Sequence, residues 1–310
     1  MLILADARRI PLAAGCVQCV VTSPPYFGLR DYGTTGQIGL EATPDAYVAS
    51  MVEVFREVWR VLGDDGVLWL NLGDSYAGAT TPGAWREGSA RADGEVRGDG
   101  ATSRRNRNGN GAVIGAKPKD LLGIPWRVAF ALQADGWYLR SDVIWSKPNP
   151  MPESVTDRPT KAHEYLFLLT KNERYYYDAR AIAEPATEPH RVRLDVVGGS
   201  SHVERGQHSK GGEFTGAAMK NKRSVWTVNT MPYTGAHFAT MPEKLVEPCI
   251  LAGSRLGDRV FDPFIGSGTV GAVAERLGRR WVGTDLNPAY HALAKRRTAQ
   301  RGIIFDEGVA

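Results

Sequence analysis

Apolar positions along this chain recur with two different periods, and their alternation predicts an α/β fold. Val17, Cys19, Val20 and Val21 form a short, β-branched, nearly unbroken run, as a buried strand requires. Thr43 followed by Pro44 reads as a helix start, and Val48, Met51, Val52, Phe55, Val58, Trp59 and Leu62 then recur at helical spacing until Gly63. Asp64-Asp65-Gly66 reads as a turn, and residues 67–72 as the next buried strand. Strand, helix and strand in this order imply a right-handed parallel crossover.

The pattern continues on both sides. A short strand over residues 2–5 ends at Asp6, and the Gly- and Tyr-rich residues 27–40 are expected to cover a site as a loop. A helix is predicted over 121–134 and a strand over 138–145, with residues 163–169 and 174–178 as a hairpin at an antiparallel edge. The final quarter reads as helix 242–253, strand 259–262, a glycine turn, helix 269–277, strand 281–283, helix 288–301 and a short strand over 303–305.

Two segments break this regularity. Residues 76–119 are dominated by Gly, Arg, Asn, Ala and Ser, cannot bury a core, and are expected to be mobile in the free protein. Arg104, Arg105 and Arg107 cluster there, and clustered arginines pair with phosphates. Residues 183–234 are Gly-, Ser- and His-rich and basic, with Lys222 and Arg223 near their end. The first segment reads either as a solvated linker or as a DNA-contacting loop that orders on binding; the second is singled out by its position and charge. The domain organisation expected is a catalytic core of residues 1–182 and 235–310, carrying a basic insertion at about 76–119, with 183–234 as a candidate target-recognition region.

A net charge of +4 over 310 residues permits a nucleic-acid partner without requiring one. The three cysteines are odd in number, and Cys16-x-x-Cys19 has no second pair, so neither a zinc site nor a disulfide framework is expected. His190, His202 and His208 lack metal-ligand spacing. The start lacks a basic leader, and no apolar run reaches the roughly 18 residues of a membrane span, which predicts a cytoplasmic protein.

Candidate chemistry sits at two strand ends. Thr22-Ser23-Pro24-Pro25-Tyr26 follows the first buried run, and the prolines both end the strand and stiffen the turn. A hydroxyl, a fixed carbonyl and an aromatic ring thereby meet where ligands bind in open α/β sheets. Ser23 and the Pro24 carbonyl are suited to accept both hydrogens of an exocyclic amine, and Tyr26 to stack on a base taken out of the duplex. The second stretch, Phe261-Asp262-Pro263-Phe264-Ile265-Gly266-Ser267-Gly268-Thr269, is a strand, a glycine turn and a helix start, and Asp285 ends the following strand. An acid there typically holds ribose hydroxyls.

Gly266, Gly268 and Gly271 also satisfy a dinucleotide fingerprint, so an NAD-dependent oxidoreductase is a rival. Too little chain follows to complete such a domain, so the sheet must be completed by strands from the beginning of the chain. Pro248-Cys249 is the sole pair suited to cytosine-C5 chemistry, but it lies in an apolar helical pattern where a packed cysteine is expected. The tetrapeptide would also suit a glutamine amide, whereas two basic insertions favour a long polyanion.

The order of the two motifs resembles that of the β-class amino-methylating DNA methyltransferases, in which S-P-P-Y or D-P-P-Y precedes F-x-G-x-G. The matching residues here are Thr22 to Tyr26 and Phe264 to Gly268, and His237 to Pro242 resembles the lead into the cofactor loop. The resemblance implies a Rossmann-like, S-adenosylmethionine-dependent methyltransferase fold in circularly permuted motif order, with an inserted target-recognition region. It assigns catalysis to Ser23, Pro24, Pro25 and Tyr26. Cofactor contacts fall to Asp6, Thr22, Phe238, Ala239, Thr240, Asp262, Pro263, Phe264, Gly266, Ser267, Gly268, Thr269 and Asp285. Asp285 would take the ribose, Asp6 would lie by the adenine, and no metal is implied. The substrate implied is double-stranded DNA with a flipped base, and a homodimer and a paired restriction endonuclease are compatible with it. Ser at the first motif position typically marks cytosine-N4 enzymes and Asp or Asn adenine-N6 enzymes, so Ser23 favours N4-cytosine with N6-adenine as the alternative.

Overall fold

A computed structural model describes residues 1–77, 116–186, 219–230 and 241–299. In chain order the elements are β1 (Leu2–Leu4), β2 (Val17–Thr22), α1 (Pro44–Val61), β3 (Leu62–Leu72), α2 (Ile124–Ala134), β4 (Tyr138–Ser146), β5 (His163–Thr170), β6 (Glu184–Pro185), β7 (Met219–Lys220), β8 (Val225–Thr227), α3 (Glu243–Gly253), β9 (Arg259–Asp262), α4 (Thr269–Arg276), β10 (Arg280–Asp285) and α5 (Pro288–Ala299). An eight-stranded sheet has the order β1-β10-β9-β2-β3-β5-β4-β8. Its strands run parallel except β5, which is antiparallel to both β3 and β4.

The period of two sorts the strands between two cores. Val20, Leu68 and Phe261 pack with Met51 and Phe55 of α1 and Leu132 of α2. Cys19, Val21, Trp69 and Val260 face the other way, onto Leu245 and Ile250 of α3 and Val273 of α4. Both faces of the central strands are therefore covered, which is why residues 67–72 are buried without a polar alternation. Full burial of side chains such as Phe55 and Leu68 contributes about 1.5–3 kcal/mol each, so the strand ends that carry the site rest on a firm base.

The N-terminal strands complete the sheet, as the motif order requires: β2 pairs with β9 through Cys19↔Val260 and Val20↔Phe261, and β1 with β10. Thr43 caps α1, accepting the Ala46 N–H at 3.1 Å, with Pro44 at its start.

Several expectations need correction. The α1 cap is Leu62, not Gly63, and β3 begins there. The residues read as a turn lie inside β3 as an irregularity, because Val17 pairs with Leu62 but Cys19 already with Val67. Residues 174–178 form no strand. Both edges of β5 are taken by β3 and β4, so its antiparallel partners are those strands. The segment is tied down instead by Tyr176 N–H to the Asp65 carbonyl and Asp178 N–H to the Ala252 carbonyl. Helix α2 starts at Ile124 after Gly123, whose φ of 68° is left-handed. The strand expected over 303–305 lies outside the described residues. Of residues 183–234, the described parts include β8, which extends the catalytic sheet by pairing with β4.

Candidate active site

The crevice opens at the carboxyl ends of β2, β9 and β10, where connections depart to opposite sides of β9. It holds a cavity of about 170 Å³ whose lining includes Ser23, Pro25, Asp262, Phe264, Ile265, Gly266, Ser267, Thr269 and Asp285. Both predicted motifs thus meet at one cavity. The cover predicted over residues 27–40 also meets it, through Tyr32, Thr34, Gln37 and Ile38, and Tyr290 of α5 completes an aromatic pair with Tyr32 at 6.4 Å.

On the β9 side, the loop is held open by hydrogen bonds from its own backbone. Gly268 has φ of 84°, and a Cβ there would lie 3.0 Å from Ala294 of α5, so only glycine lets the loop pass that helix. Asp285 accepts the Gly266 N–H at 3.0 Å and the Asn287 N–H at 2.8 Å. Asp262 accepts the Thr22 hydroxyl at 2.7 Å and the Phe264 N–H at 3.0 Å, both on Oδ1, leaving Oδ2 for a ligand or a proton. Burial raises both carboxyls above the usual carboxylate range, Asp262 to about 7, against the opposing effect of these hydrogen bonds. Arg297 reaches the Ser267 and Thr269 hydroxyls and pairs with Glu243 at 3.0 Å. Two buried carboxyls, an apolar wall of Ile38, Phe264 and Ile265, and an aromatic pair suit a cationic nucleoside. S-adenosylmethionine, with its sulfonium, ribose and adenine, fits that set.

On the β2 side, Pro24 is buried and Ser23 half-buried. The Tyr47 hydroxyl, from a fully buried side chain of α1, donates to the Pro25 carbonyl at 2.9 Å and fixes the turn from below. Ser23 donates to the Tyr26 hydroxyl at 3.3 Å, which donates to Glu164 Oε2 at 2.6 Å. Asn71 lies beside this pair: its Oδ1 is 3.1 Å from the Tyr26 hydroxyl, and its Nδ2 donates to Glu164 Oε2 at 3.1 Å and to the Tyr165 carbonyl at 3.0 Å. Glu164 Oε1 is paired with Lys147. Burial, then the Glu164 carboxylate, hold the Tyr26 phenol well above its ordinary value, so it stays a donor. A Cβ on Gly73 would sit 2.6 Å from Tyr26 Cε2, so the residue that follows β3 must be glycine for the ring to lie there.

Other expected residues fall elsewhere. Asp6 is off the cavity lining, its carboxylate gripped by Arg8 Nε and Nη2 at 2.7–3.1 Å. Thr22 is fully buried and reaches the cavity through Asp262. Pro263 holds the Thr284 hydroxyl on its carbonyl at 2.9 Å. Arg223 is exposed and pairs with Glu184 at 2.6 Å, and Lys222 lies 5.3 Å from the Trp226 ring. Arg104, Arg105, Arg107, Phe238, Ala239 and Thr240 lie outside the described residues. Cys249 is fully buried, donates to the Leu245 carbonyl at 3.2 Å and has its thiol pushed up by burial, as a packed cysteine does. Glu164, Asn71, Lys147, Tyr47 and Tyr290 were not foreseen, because strand pairing and helix packing bring them in from distant parts of the chain.

Comparison with known proteins agrees with this geometry. A family model for N6/N4 DNA methylases matches residues 17–296. Type II methyltransferase M.SmaI of Serratia marcescens is 48% identical over 303 residues, covering 97% of this chain and 91% of its own. M.XycI of Xanthomonas campestris pv. cyanopsidis is 49% identical over 298 residues, covering 95% and 84%. The fold matches that of PvuII DNA methyltransferase (cytosine-N4-specific) with a TM-score of 0.61 at 17% identity, covering 100% of this chain and 87% of that one. It also matches a putative DNA modification methylase of Thermus thermophilus solved with S-adenosyl-L-methionine, with a TM-score of 0.57 at 24% identity, covering 96% and 92%. The Rossmann-like fold, the cofactor class and the shared sequence thus agree, and this chain belongs to the N6/N4 DNA methylase family of S-adenosylmethionine-dependent enzymes.

Proposed function

We propose that this enzyme methylates the exocyclic N4 amine of cytosine at a specific sequence in double-stranded DNA, on a base extruded from the duplex. The observation that carries the reading is Ser23, a hydroxyl at the cavity edge whose proton is donated to Tyr26. Its oxygen is left as an acceptor. Ser23 Oγ and the Pro24 carbonyl accept the two amine hydrogens and draw the nitrogen lone pair out of conjugation with the ring. Tyr26 stacks on the base, and Asp285 takes the ribose hydroxyls of the cofactor. Bound S-adenosylmethionine supplies an activated methyl group. The chain's own part is to hold the amine in line with it and exclude water.

Lys222, Arg223 and the arginines at 104, 105 and 107 supply phosphate contacts, and residues 183–234 read the target sequence. The type II relatives favour a place beside a restriction endonuclease that cuts the same sequence. Adenine N6 is the second reading, because the acceptors of the turn engage only the amine, a group both bases present. Incubation with S-adenosylmethionine and unmethylated DNA, followed by nucleoside digestion and mass spectrometry, tests the proposal. N4-methyldeoxycytidine is the expected product. N6-methyldeoxyadenosine would transfer the mechanism to adenine, and no methylated base from protein that binds the cofactor would overturn the DNA reading.

A further inference from the structure

Glu164 lies outside both motifs, on β5, which runs antiparallel to both its neighbours, yet it is the residue against which the Tyr26 hydroxyl is seated. We propose that Glu164 is a positioning residue that acts through Tyr26 to keep the Ser23 oxygen facing the target amine as an acceptor. The inference rests on the reading of Ser23 given above and extends it to a residue that never touches substrate.

The direction of the chain of hydrogen bonds follows from proton counting. Tyr26 has one proton and two acceptors near it, Glu164 Oε2 at 2.6 Å and Asn71 Oδ1 at 3.1 Å. The shorter contact, to the carboxylate oxygen, takes the proton. The phenol oxygen is then free to accept, and Ser23 donates to it at 3.3 Å. A serine hydroxyl carries one proton, so once it is committed inward the oxygen offers lone pairs outward. Without the Glu164 oxygen, the Tyr26 proton would be divided between Asn71 Oδ1 at 3.1 Å and the Ser23 oxygen at 3.3 Å, and for part of the time the amine would meet a donor. Donors on every side hold the carboxylate in place: Lys147 on Oε1, Asn71 Nδ2 and Tyr26 on Oε2. Asn71 is itself oriented by the Tyr165 carbonyl, so its oxygen cannot turn away from the tyrosine. Gly73 keeps the space that the ring needs, and an added Cβ there would also lie 3.4 Å from Glu164 Cδ.

Glu164→Gln tests this. The amide must turn its oxygen to Lys147, and its nitrogen then faces two donors, Tyr26 and Asn71. The expected result is a loss of about tenfold or more in kcat, with KM for DNA and cofactor affinity by calorimetry within about twofold of wild type. Tyr26→Phe removes the middle link, and the double variant is expected to be no slower than Tyr26→Phe alone, since both changes break one chain. Glu164→Asp is the second variant should the glutamine form fold poorly. It keeps a charge beside Lys147 but withdraws it from Tyr26, and the same loss in kcat is expected. An unchanged kcat in the variant that folds, or multiplicative losses in the double variant, would overturn the proposal. Ser23→Ala run in parallel separates the two levels: retained turnover there refutes the reading of Ser23 itself, whereas an inactive Ser23→Ala with a normal Glu164→Gln refutes only the role of Glu164.

Discussion

Asp262 makes the cavity sensitive to pH in a calculable way. Its side chain is 3% exposed, and burial lifts its carboxyl to about 7 from an ordinary 3.8. The sign follows from linkage. Between those two values the folded protein keeps a proton that the unfolded chain has lost, so stability of the ligand-free protein falls as pH rises through that window and levels off above it. The difference amounts to about 4 kcal/mol at most from this one group. A bound cation reverses the preference, because it stabilises the carboxylate. Binding of S-adenosylmethionine must then release the proton, and affinity should rise with pH until Asp262 is ionised without help. With the free carboxyl near 7, the gain between about pH 6 and about pH 8 is about tenfold, or about 1.4 kcal/mol.

Isothermal calorimetry on wild type and Asp262→Asn measures this. The amide keeps an oxygen for Thr22 and the Phe264 N–H but cannot ionise. The ligand's amino group titrates in an overlapping range in both proteins, so the readout is the ratio of their affinities. That ratio should grow about tenfold in favour of wild type from about pH 6 to about pH 8, with proton release seen as a dependence on buffer ionisation heat. S-adenosylhomocysteine shares the amino group but lacks the sulfonium, and should show a smaller change. A ratio that stays flat would refute the assignment of Asp262 as the group that answers the cofactor's charge.

Ser23→Ala and Asp285→Ala should fail in opposite ways. The first is expected to abolish turnover with cofactor affinity within about twofold of wild type; the second should weaken cofactor binding by at least about tenfold by calorimetry, having lost the carboxylate and freed the loop it anchors. Unchanged affinity in Asp285→Ala would count against the ribose role. Gly73→Ala should displace the Tyr26 ring, lowering kcat and costing about 1–3 kcal/mol in thermal unfolding, and a variant with both unchanged would mean that the ring has room to spare.

What the sequence made legible was local. The residues from Thr22 to Tyr26 and from Phe264 to Thr269 are each consecutive, and a strand followed by prolines or glycines carries its geometry with it. Even the covering loop announced itself through its Gly and Tyr content. The supports beneath these motifs were not legible, because they depend on register. Glu164 reaches Asn71 because β5 runs antiparallel to β3 with Asn71 opposite Leu166 and Leu72 opposite Tyr165, a pairing that no periodicity specifies. The three tyrosines at 175–177 have strand composition, but no edge of β5 was left to receive them, and composition cannot report that an edge is occupied. Asp6 follows β1 by two residues, as expected near a strand end, yet Arg8, two residues on, takes up its carboxylate.

The permuted order of the motifs is possible because what joins them is not chain continuity. Thr22 and Asp262 are 240 positions apart, yet their side chains share a buried hydrogen bond between the two strands that carry the amine-binding turn and the cofactor loop. The sheet presents those strand ends side by side whichever of them is made first. A single contact then couples the two halves of the site: Asp262, which we propose answers the charge of the cofactor, accepts from the hydroxyl of Thr22, the residue that directly precedes Ser23 in the chain. Glu164 steadies the same turn from the other side, through Tyr26. The turn is thus braced at both ends by residues that need not touch a base, and on the reading proposed above its own chemistry is left to decide what is methylated.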